Sequence, residues 1–496
     1  MSSQKVSDVW MTSSEVLEAT NGAWYQNGAI SPDDFRGVST DSRQVKSGDL
    51  FLALCGQRFD GHFHLQEAME KGASAAIVER PMPDAIPQIL VENTQKSMLD
   101  LAKIILRKRR ASGGRMVVLT GSAGKTTTRE LIRRGLSSSG QPVLASSGNE
   151  NNEIGVPRTI WGWKSSEPYA VIEVGVRKRG DIGYFGDVVS SECLVITSIG
   201  PSHLETLGTL RGVWDEKSQL IETIREGGFL VLPEEVWKQF GTSAQQTLLE
   251  KKKIHLLLTR LSGPDVPIHR NDGAISIDGR SMTVLEGSFC LKEAGYFLQG
   301  NFSGTDFSIK MEIPSPELAM DMLLAMGVCG VFGTDLFKAS EAIGDYKGGS
   351  GRMQPLRSKN GILYLLDHYN ANPLSMEAAF SLLENYHRGE WSAGKIWGIL
   401  GEMLELGEDS ESWHRYVGQK AARLSWGAIW FKGNYFESFL EGFVSSGGEP
   451  SLLHRITGEN DPVDRYRLIA PGDIVLLKAS RGTALETEFF YLGLEL

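Results

Sequence analysis

The sequence has few cysteines. Its 496 residues include only four, at positions 55, 193, 290 and 329, and no two of them have the spacing of a metal-binding pair. Apolar neighbours predict that each is a buried, reduced thiol rather than half of a disulfide. We therefore expect a protein of a reducing compartment.

Targeting and membrane-spanning segments are also lacking. Residues 1–5 show no apolar core of a signal peptide. The most apolar segment, 318–332, contains Asp321 and is shorter than the roughly 20 residues that a membrane span needs. These features predict a cytoplasmic protein without stable membrane insertion, and we expect it to be a monomer.

Positive charge is in short supply. The chain has 51 lysines and arginines against 61 aspartates and glutamates, a net charge of −10. A nucleic-acid surface needs a broad basic face. The one basic run, Arg107–Arg110, ends a predicted helix, where cations complement the helix dipole. We expect no nucleic-acid partner.

The length and the order of elements predict an α/β protein of about three domains. The first, 1–112, is a small α/β domain, and the second, 113–335, has a mostly parallel sheet of the P-loop type, flanked by helices. The third, 336–496, is a Rossmann-like α/β domain with parallel strands. Short β-type runs between Lys251 and Asn301 predict an antiparallel edge or flap on the central sheet, and Gly348–Met353 predicts a flexible hinge.

A glycine-rich turn follows the apolar run Val117–Leu119. It contains Gly121-x-x-Gly124-Lys125-Thr126, which is shorter than the full GxxxxGK[ST] pattern. A tight strand-to-helix turn that merely carries Lys-Thr is the alternative. The strand before and the helix after it favour a nucleotide-phosphate site, with Lys125 on the terminal phosphates and the Thr126 hydroxyl on Mg²⁺. The ATP-binding candidates here are Gly121, Ser122, Ala123, Gly124, Lys125, Thr126 and Thr127.

Two later strands of the central domain also end in polar residues. Glu173 ends the first, and the second leads into His203. Ligands bind beyond the carboxyl ends of strands in such sheets. A single histidine is more often a packing or capping residue, but three polar strand ends together favour a divalent-cation site. Lys217, on the next helix, looks like a solvated helix lysine from the sequence alone.

Polar residues gather in the outer domains as well. Ser39, Thr40, Ser42 and Arg43 suit phosphate or ribose recognition, although a short hydroxyl-rich run taken alone is more typical of an ordinary turn. In the third domain the predicted strands end in Asp367–Pro373, Gly401–Ser410 and Lys478–Gly482, which predicts a second binding edge.

Taken in order, these motifs resemble the Mur ligase family over nearly the whole chain. The Tyr-Asn-Ala-Asn-Pro and Glu-Met-Leu-Glu-Leu-Gly runs resemble the branch that adds D-alanyl-D-alanine to UDP-N-acetylmuramoyl-tripeptide. The matching segments are Ser39–Arg43, Gly48–Phe51, Asp60–His62, Thr120–Thr126, Asn151–Pro157, Gly200–Leu204, Gly351–Met353, Tyr369–Pro373, Gly401–Gly407 and Lys478–Arg481.

The resemblance implies a mechanism and a set of roles. The γ-phosphoryl group of ATP would move to the tripeptide carboxylate, and the dipeptide amine would displace phosphate from the acyl phosphate. Mg²⁺, in two ions, would be held by Thr126, Glu173 and His203, and Lys217 matches a lysine that the family carbamylates with CO₂. Family positions that contact the substrates correspond to Arg352 and Asp367 for ATP, Ser39, Thr40, Ser42 and Arg43 for the UDP end, and Asn370, Lys478, Ser480 and Arg481 for the dipeptide.

Several positions depart from the family pattern. A His-Asn-x-x-Asn segment expected on the helix after the flap is replaced, with Pro316, Glu317 and Met320 at the corresponding positions. This replacement bears on the adenine side of the site. The other departures are Arg177, Leu366, His368 and Ala479.

Three other functions compete with this interpretation. A sister amide ligase would share most motifs, a P-loop kinase or NTPase switch would not need the third domain, and a non-catalytic nucleotide-sugar-binding protein would account for the altered adenine-side helix.

Overall fold

The computed structural model describes residues 10–25, 31–56, 59–83, 86–263, 274–277, 280–457 and 466–494. The chain divides into two compact units. The first comprises Met1–Met116, Pro142–Val174 and Tyr184–Ser190, and the second comprises Val117–Gln141, Gly175–Gly183 and Ser191–Leu496. A short helix, Asp181–Phe185, has residues in both.

The first unit contains a five-stranded sheet. In spatial order its strands are Ala23–Tyr25, Gln88–Leu90, Ala75–Val78, Asp49–Leu52 and Gly37–Ser39. All neighbours are parallel except the first pair. Its described residues also form a parallel pair of strands, Val143–Ala145 with Tyr169–Glu173. Their helices include Ser13–Thr20, Leu65–Glu70, Thr94–Ala111 and Gly155–Trp161.

The long helix Thr94–Ala111 shows how local sequence sets these elements. Asn93 caps it, since its side-chain oxygen accepts a hydrogen bond from the Lys96 N–H at 2.8 Å. Three consecutive cations, at 108–110, lie in the last turn, where they complement the dipole. The basic run predicted to end a helix therefore does so.

The sheet of the second unit carries the glycine-rich turn. Five strands are parallel in the order Arg115–Thr120, Ser191–Ile196, Ile224–Pro233, His255–Ser262 and Arg280–Lys292. Antiparallel strands extend it beyond Arg280–Lys292, namely Gly295–Phe302, Thr305–Met311 and Ala274–Ile277. Its helices are Lys125–Ser137, Leu204–Leu207, Leu210–Lys217, Glu234–Phe240, Ser243–Lys251, Pro316–Val331 and Leu336–Gly344.

One sequence prediction fails in this sheet. The run that begins at His255 was expected in an antiparallel flap, but the strand His255–Ser262 is parallel to both its neighbours. Two helices, Glu234–Phe240 and Ser243–Lys251, precede it. They provide the crossover that a parallel connection requires. Antiparallel pairing begins later in the chain, where Arg280–Lys292 pairs with Ala274–Ile277 and with Gly295–Phe302, and the latter pairs with Thr305–Met311.

The C-terminal part of the second unit has its own six-stranded sheet. Its strand order is Gln354–Arg357, Leu363–Leu366, Ile474–Lys478, Ile396–Gly401, Trp426–Lys432 and Leu453–Ile456. All pairs are parallel except the first. The helices Pro373–Arg388, Ser410–Ala421 and Phe436–Ser445 follow strands of this sheet.

The predicted α/β fold class is confirmed, whereas the boundaries 1–112, 113–335 and 336–496 stay predictions. Two of the four cysteines, Cys193 and Cys329, are buried as expected, but Cys55 and Cys290 are only half-buried; all four are free thiols. Among the described residues, no helix is both long enough and apolar enough to cross a membrane.

Candidate active site

The glycine-rich turn connects the strand Arg115–Thr120 to the helix Lys125–Ser137. Gly121 and Gly124 have φ of +155° and +80°. A Cβ at Gly121 would lie 2.0 Å from the Thr197 hydroxyl oxygen, and one at Gly124 would lie 2.5 Å from Oδ1 of Asp321. Only glycine fits both positions, because of the backbone conformation and because of the close neighbours.

The turn is fastened to the loop after the strand Ser191–Ile196. The N–H of Ser122 donates to the carbonyl of Ser198, and the N–H of Ala123 donates to its hydroxyl, both at 2.9 Å. The Ser122 hydroxyl also donates to the carbonyl of Gly200 at 2.9 Å. Two N–H groups of the turn are thus engaged within the protein. The first turn of the helix and its positive dipole end are therefore the main anion-binding element.

Lys125, at the start of that helix, folds back over the turn. Its ammonium donates to the carbonyl of Gly121 at 2.7 Å. The charge is thereby held at the mouth of the turn, where a terminal phosphate group would be bound.

Asp321 lies behind the turn, on the apolar helix Pro316–Val331. One carboxyl oxygen accepts a hydrogen bond from the Thr128 hydroxyl at 2.8 Å. Burial raises the pKa of Asp321 to about 8, and the nearby Glu317 adds to this effect. The sequence singled out Asp321 only as a polar interruption of an apolar segment.

Lys217 ends the helix Leu210–Lys217 and is fully buried, which overturns its interpretation as a solvated helix residue. Within the described part of the chain, its ammonium nitrogen has no hydrogen-bond partner. Burial holds the pKa of Lys217 well below its usual value, and the positive charge of Lys125 lowers it further. Its neighbour Glu216 is buried too, and accepts hydrogen bonds from the N–H groups of Gly180 and Ile182.

His203 precedes the short helix Leu204–Leu207 and has a left-handed backbone, with φ of +51°. Its Nδ1 lies 2.7 Å from a carboxylate oxygen of Glu405. The hydrogen bond from His203 is the main reason that the pKa of Glu405 is below its usual value. The histidine is therefore neither a core residue nor a side-chain cap.

Glu173 ends its strand in the first unit and is nearly fully buried. Its carboxylate accepts a hydrogen bond from the Asn151 amide at 2.8 Å, and its N–H donates to the Ser146 hydroxyl at 3.0 Å. Asn151 belongs to the segment Gly148–Pro157, which is rich in asparagine, so that segment orients this carboxylate.

The predicted substrate turn, Ser39–Arg43, also lies in the first unit. Arg43 makes two hydrogen bonds to the Asp41 carboxylate, at 2.9 and 2.8 Å, and this pairing lowers the pKa of Asp41 to about 2. The Ser42 hydroxyl donates to Glu67 at 2.5 Å, and the Ser39 hydroxyl to the carbonyl of Asp41 at 2.8 Å. Both serine hydroxyls are thus used within the fold, whereas Arg43 projects outward and Thr40 is half-exposed.

The edge of the C-terminal sheet is organised around a buried ion pair. The Lys478 ammonium lies 2.5 Å from one oxygen of Asp367 and donates to the carbonyl of Asn370 at 3.2 Å. The other Asp367 oxygen accepts from the Met353 N–H at 3.1 Å. Both charges are internal, so each fixes the loops around it. The buried Ser480 acts similarly, with its hydroxyl donating to the carbonyl of Ala371.

Two guanidinium groups flank the Tyr369 ring at this edge. Arg352 lies 3.9 Å and Arg481 5.4 Å from the ring centroid. The predicted hinge around Arg352 is a tight turn in which Gly349 and Arg352 exchange backbone hydrogen bonds. Arg481 and Asn370 are exposed. Among the four dipeptide candidates, they are therefore the two whose polar groups a ligand can reach.

The C-terminal sheet edge reaches the glycine-rich turn itself. Asn372 caps the helix Pro373–Arg388, and its side-chain amide donates to the carbonyl of Ser122 at 3.3 Å. A Cβ on Gly200 would lie 2.0 Å from a methyl carbon of Leu374, so the helix start is packed against the neighbouring loop. The glycine-rich turn and the polar edge at 367–372 therefore form one continuous region.

Three family models match the chain. They are the Mur ligase family catalytic domain at residues 34–102, the Mur ligase middle domain at 119–255, and the Mur ligase glutamate ligase domain at 351–481. A UDP-N-acetylmuramoyl-tripeptide–D-alanyl-D-alanine ligase of Haemophilus influenzae is 31% identical over 77% of each chain. The chain belongs to the Mur ligase family.

Solved structures agree with this assignment. A crystal structure of MurF from Acinetobacter baumannii is 26% identical, with a TM-score of 0.80 and coverage of 97% of this chain and 98% of that one. MurF ligase from Thermotoga maritima, solved in complex with ADP, shares the fold, with 24% identity, a TM-score of 0.73 and coverage of 92% and 97%.

In this Mur ligase, several site residues were not predicted from the sequence. Asn372 and Glu405 both stand in motifs that were noticed, but nothing in those motifs marked them as contacts to the central part of the chain. Asp321 was hidden in the altered adenine-side helix. An acidic residue in a segment otherwise apolar enough to be buried was the one available signal.

Proposed function

We propose that this chain is an ATP-dependent ligase that joins D-alanyl-D-alanine to UDP-N-acetylmuramoyl-tripeptide, with ADP and phosphate as the other products. The UDP-muramoyl-pentapeptide would serve peptidoglycan synthesis in the cytoplasm. The observation that carries this proposal is the hydrogen bond from Asn372 to Ser122. It brings a second polar edge to the phosphate-binding turn, as a reaction between a nucleotide and two further substrates requires. A P-loop kinase or NTPase switch has no such need.

The chemistry has two steps. A carboxylate oxygen of the tripeptide attacks the γ-phosphorus of ATP, and ADP leaves, which gives an acyl phosphate. The dipeptide amine then attacks the acyl carbon, phosphate leaves, and the nitrogen loses a proton as the amide forms. Phosphoryl transfer depends mostly on positioning and on charge stabilisation. The Lys125 ammonium and the helix N-terminus behind it supply the positive charge.

We propose that Thr126, Glu173 and His203 hold Mg²⁺, as two ions. Hydroxyl and carboxylate oxygens suit this ion, and the buried, oriented carboxylate of Glu173 fits the role. When bound, Mg²⁺ would neutralise charge on the phosphates.

We also propose that Lys217 carries a carbamate. Its neutral amine adds to CO₂ and releases a proton, which creates an anion close to Lys125. A fully buried amine without a hydrogen-bond partner in the described structure supports this modification.

The remaining roles are proposed in the same way. Arg352 and Asp367 serve ATP, and Asn370 and Arg481 face the dipeptide, while Lys478 and Ser480 hold the loops that present them. The turn Ser39–Arg43 binds the UDP end. The domains 1–112, 113–335 and 336–496 would then bind the UDP substrate, ATP, and ATP with the dipeptide, in a monomeric enzyme.

Phosphate release tests the proposal. Purified protein is given Mg-ATP and UDP-N-acetylmuramoyl-tripeptide, with and without D-alanyl-D-alanine, using one tripeptide that ends in lysine and one that ends in diaminopimelate. Release that depends on the dipeptide, with a pentapeptide product by mass spectrometry, is the expected result and identifies the third residue.

Other outcomes would favour the competing functions. Release that depends on another amino acid would indicate a sister ligase of the same family. Binding of the UDP substrate without release from either tripeptide would indicate a nucleotide-sugar-binding protein, and would direct attention to Glu317 and Met320 on the adenine-side helix.

A further inference from the structure

The loop that follows the strand Ile396–Gly401 is fastened from behind to the C-terminal sheet. The N–H of Met403 donates to Nε2 of His414 at 2.9 Å, and the N–H of Leu404 donates to the hydroxyl of Ser480 at 3.0 Å. Burial lowers the pKa of His414 to about 4, so its imidazole is neutral and Nε2 can accept. The next residue, Glu405, is therefore presented from a fixed support.

Glu405 and His203 meet in an unusual backbone geometry. Their φ values are +63° and +51°. Left-handed conformations are unfavourable for residues other than glycine. Such strain persists where the surrounding structure imposes it, often at functional sites. In this conformation the Glu405 carboxylate lies 2.7 Å from Nδ1 of His203.

A second contact shows that the two loops dock as surfaces. A Cβ added to Gly407, whose φ is +64°, would lie 3.0 Å from Cα of Glu205. The backbone of the 405–407 segment thus approaches the helix that begins just after His203. The ion pair therefore lies where the two loop backbones approach each other closely, with the Glu405 side chain exposed and that of His203 half-buried.

The protonation pattern follows from this contact. A glutamate carboxylate is ionised near neutral pH and can only accept hydrogen bonds. Nδ1 of His203 must therefore carry the proton in this pair. In the neutral imidazole, Nε2 then holds the lone pair with which the ring could contact a cation or accept a proton.

We propose that Glu405 is a positioning residue that acts through His203. The carboxylate fixes the Nδ1–H tautomer and the ring orientation, and does so only while the C-terminal part of the chain is docked on the central part. Carboxylates that orient histidines in this manner commonly support metal and catalytic sites. The expected effect on catalysis rests on the proposed function, whereas the geometry rests on the observed contact between Glu405 and His203.

Kinetics provide the first test. We expect Glu405→Ala to lower kcat about 10–100-fold, the range seen when an orienting partner is lost, with KM for the UDP substrate little changed. Glu405→Gln keeps an acceptor oxygen and should recover part of the loss. Glu408→Ala, at an exposed glutamate of the following turn, is the matched control.

The double variant His203→Ala/Glu405→Ala separates positioning from a general structural effect. If Glu405 acts through His203, the second substitution adds no further loss, because coupled residues are not additive. Equal losses in both backgrounds, or a Glu405→Ala enzyme that matches the Glu408→Ala control, would overturn the proposal.

A spectroscopic readout does not depend on turnover. With ¹⁵N-histidine in the full chain, resonances of His203 are identified by their loss in His203→Gln. The wild type should show Nδ1 protonated and hydrogen-bonded, and Glu405→Ala should shift the ring-nitrogen signals. Unchanged signals would refute the positioning role. This test decides the matter even if the wild type releases no phosphate and the proposed ligase activity fails.

Discussion

Replacement of Lys217 by methionine should make the protein more stable and less active. The side chain is fully buried and its nitrogen has no hydrogen-bond partner among the described residues. An unsatisfied buried polar group costs roughly 1–3 kcal/mol. Methionine has a similar length and no charge. We therefore expect Lys217→Met to raise the free energy of unfolding by about that amount, and to abolish phosphate release.

Calorimetry without nucleotide, in degassed buffer that disfavours the carbamate, measures the effect. For a protein of this size the gain corresponds to roughly 2–10 °C in the melting temperature of the transition that includes the central domain. The exposed Lys251 ends a helix nearby in the sequence, so Lys251→Met is the control and should leave both melting temperature and turnover unchanged.

The pH dependence of the stability difference between Lys217→Met and the wild type distinguishes a charge effect from a packing effect. The folded-state pKa of Lys217 is well below its ordinary value of 10.5. The unfolded chain therefore binds the extra proton, and this destabilises the folded wild type below pH 10.5. The advantage of Lys217→Met should shrink as the pH rises toward that value. A variant that melts below the wild type at pH 7, or an advantage that is constant with pH, would refute the reasoning.

Three further changes test other parts of the site. Lys125→Ala should abolish turnover while calorimetry shows UDP-substrate binding intact, because Ser39–Arg43 belongs to the other compact unit; equal loss of both would contradict this division. Lys217→Ala should regain part of its activity with acetate or formate in place of the carbamate, and no recovery would count against the modified lysine. For Asp321, the pKa rises from 3.8 unfolded to about 8 folded. Its burial therefore costs little folding free energy below pH 4, and the cost grows up to pH 8. The stability gain of Asp321→Asn should increase over the same interval, to roughly 3 kcal/mol. This figure is half the full linkage value, because the side chain is only half-buried. A gain that stays flat between pH 4 and 8 would show that the carboxyl is ionised in the fold.

Elements with a strong local signal could be predicted from the sequence. The helix Ser13–Thr20 is an example, because Thr12 and Glu15 form a capping box and both residues lie within three positions of its start. The turn at Gly121–Thr126 was recognisable because apolar β-type residues, small residues and a helical pattern follow each other directly. Such information is local, so it survives without knowledge of the tertiary structure.

Strand pairing, burial and contacts between distant residues could not be predicted from local sequence in this way. The strand His255–Ser262 consists of short apolar runs, and these do not reveal whether a strand is parallel or antiparallel. The burial of Lys217 depends on what packs around its helix, which its own helix sequence does not show. The contacts of Asn372 and Glu405 join residues more than 200 positions apart, at Ser122 and His203. No spacing rule predicts them.

The two hydrogen bonds from Arg43 to the Asp41 carboxylate affect how an anionic group would bind to this arginine. A free arginine side chain loses rotamer entropy when it is ordered. Asp41 takes up Nε and one terminal nitrogen of the guanidinium, so that ordering has occurred before any ligand arrives. Three of the five N–H donors of the group remain for other partners. An incoming phosphate would thus meet a cation that is already aimed, and less of its binding energy would be lost to immobilising the receptor.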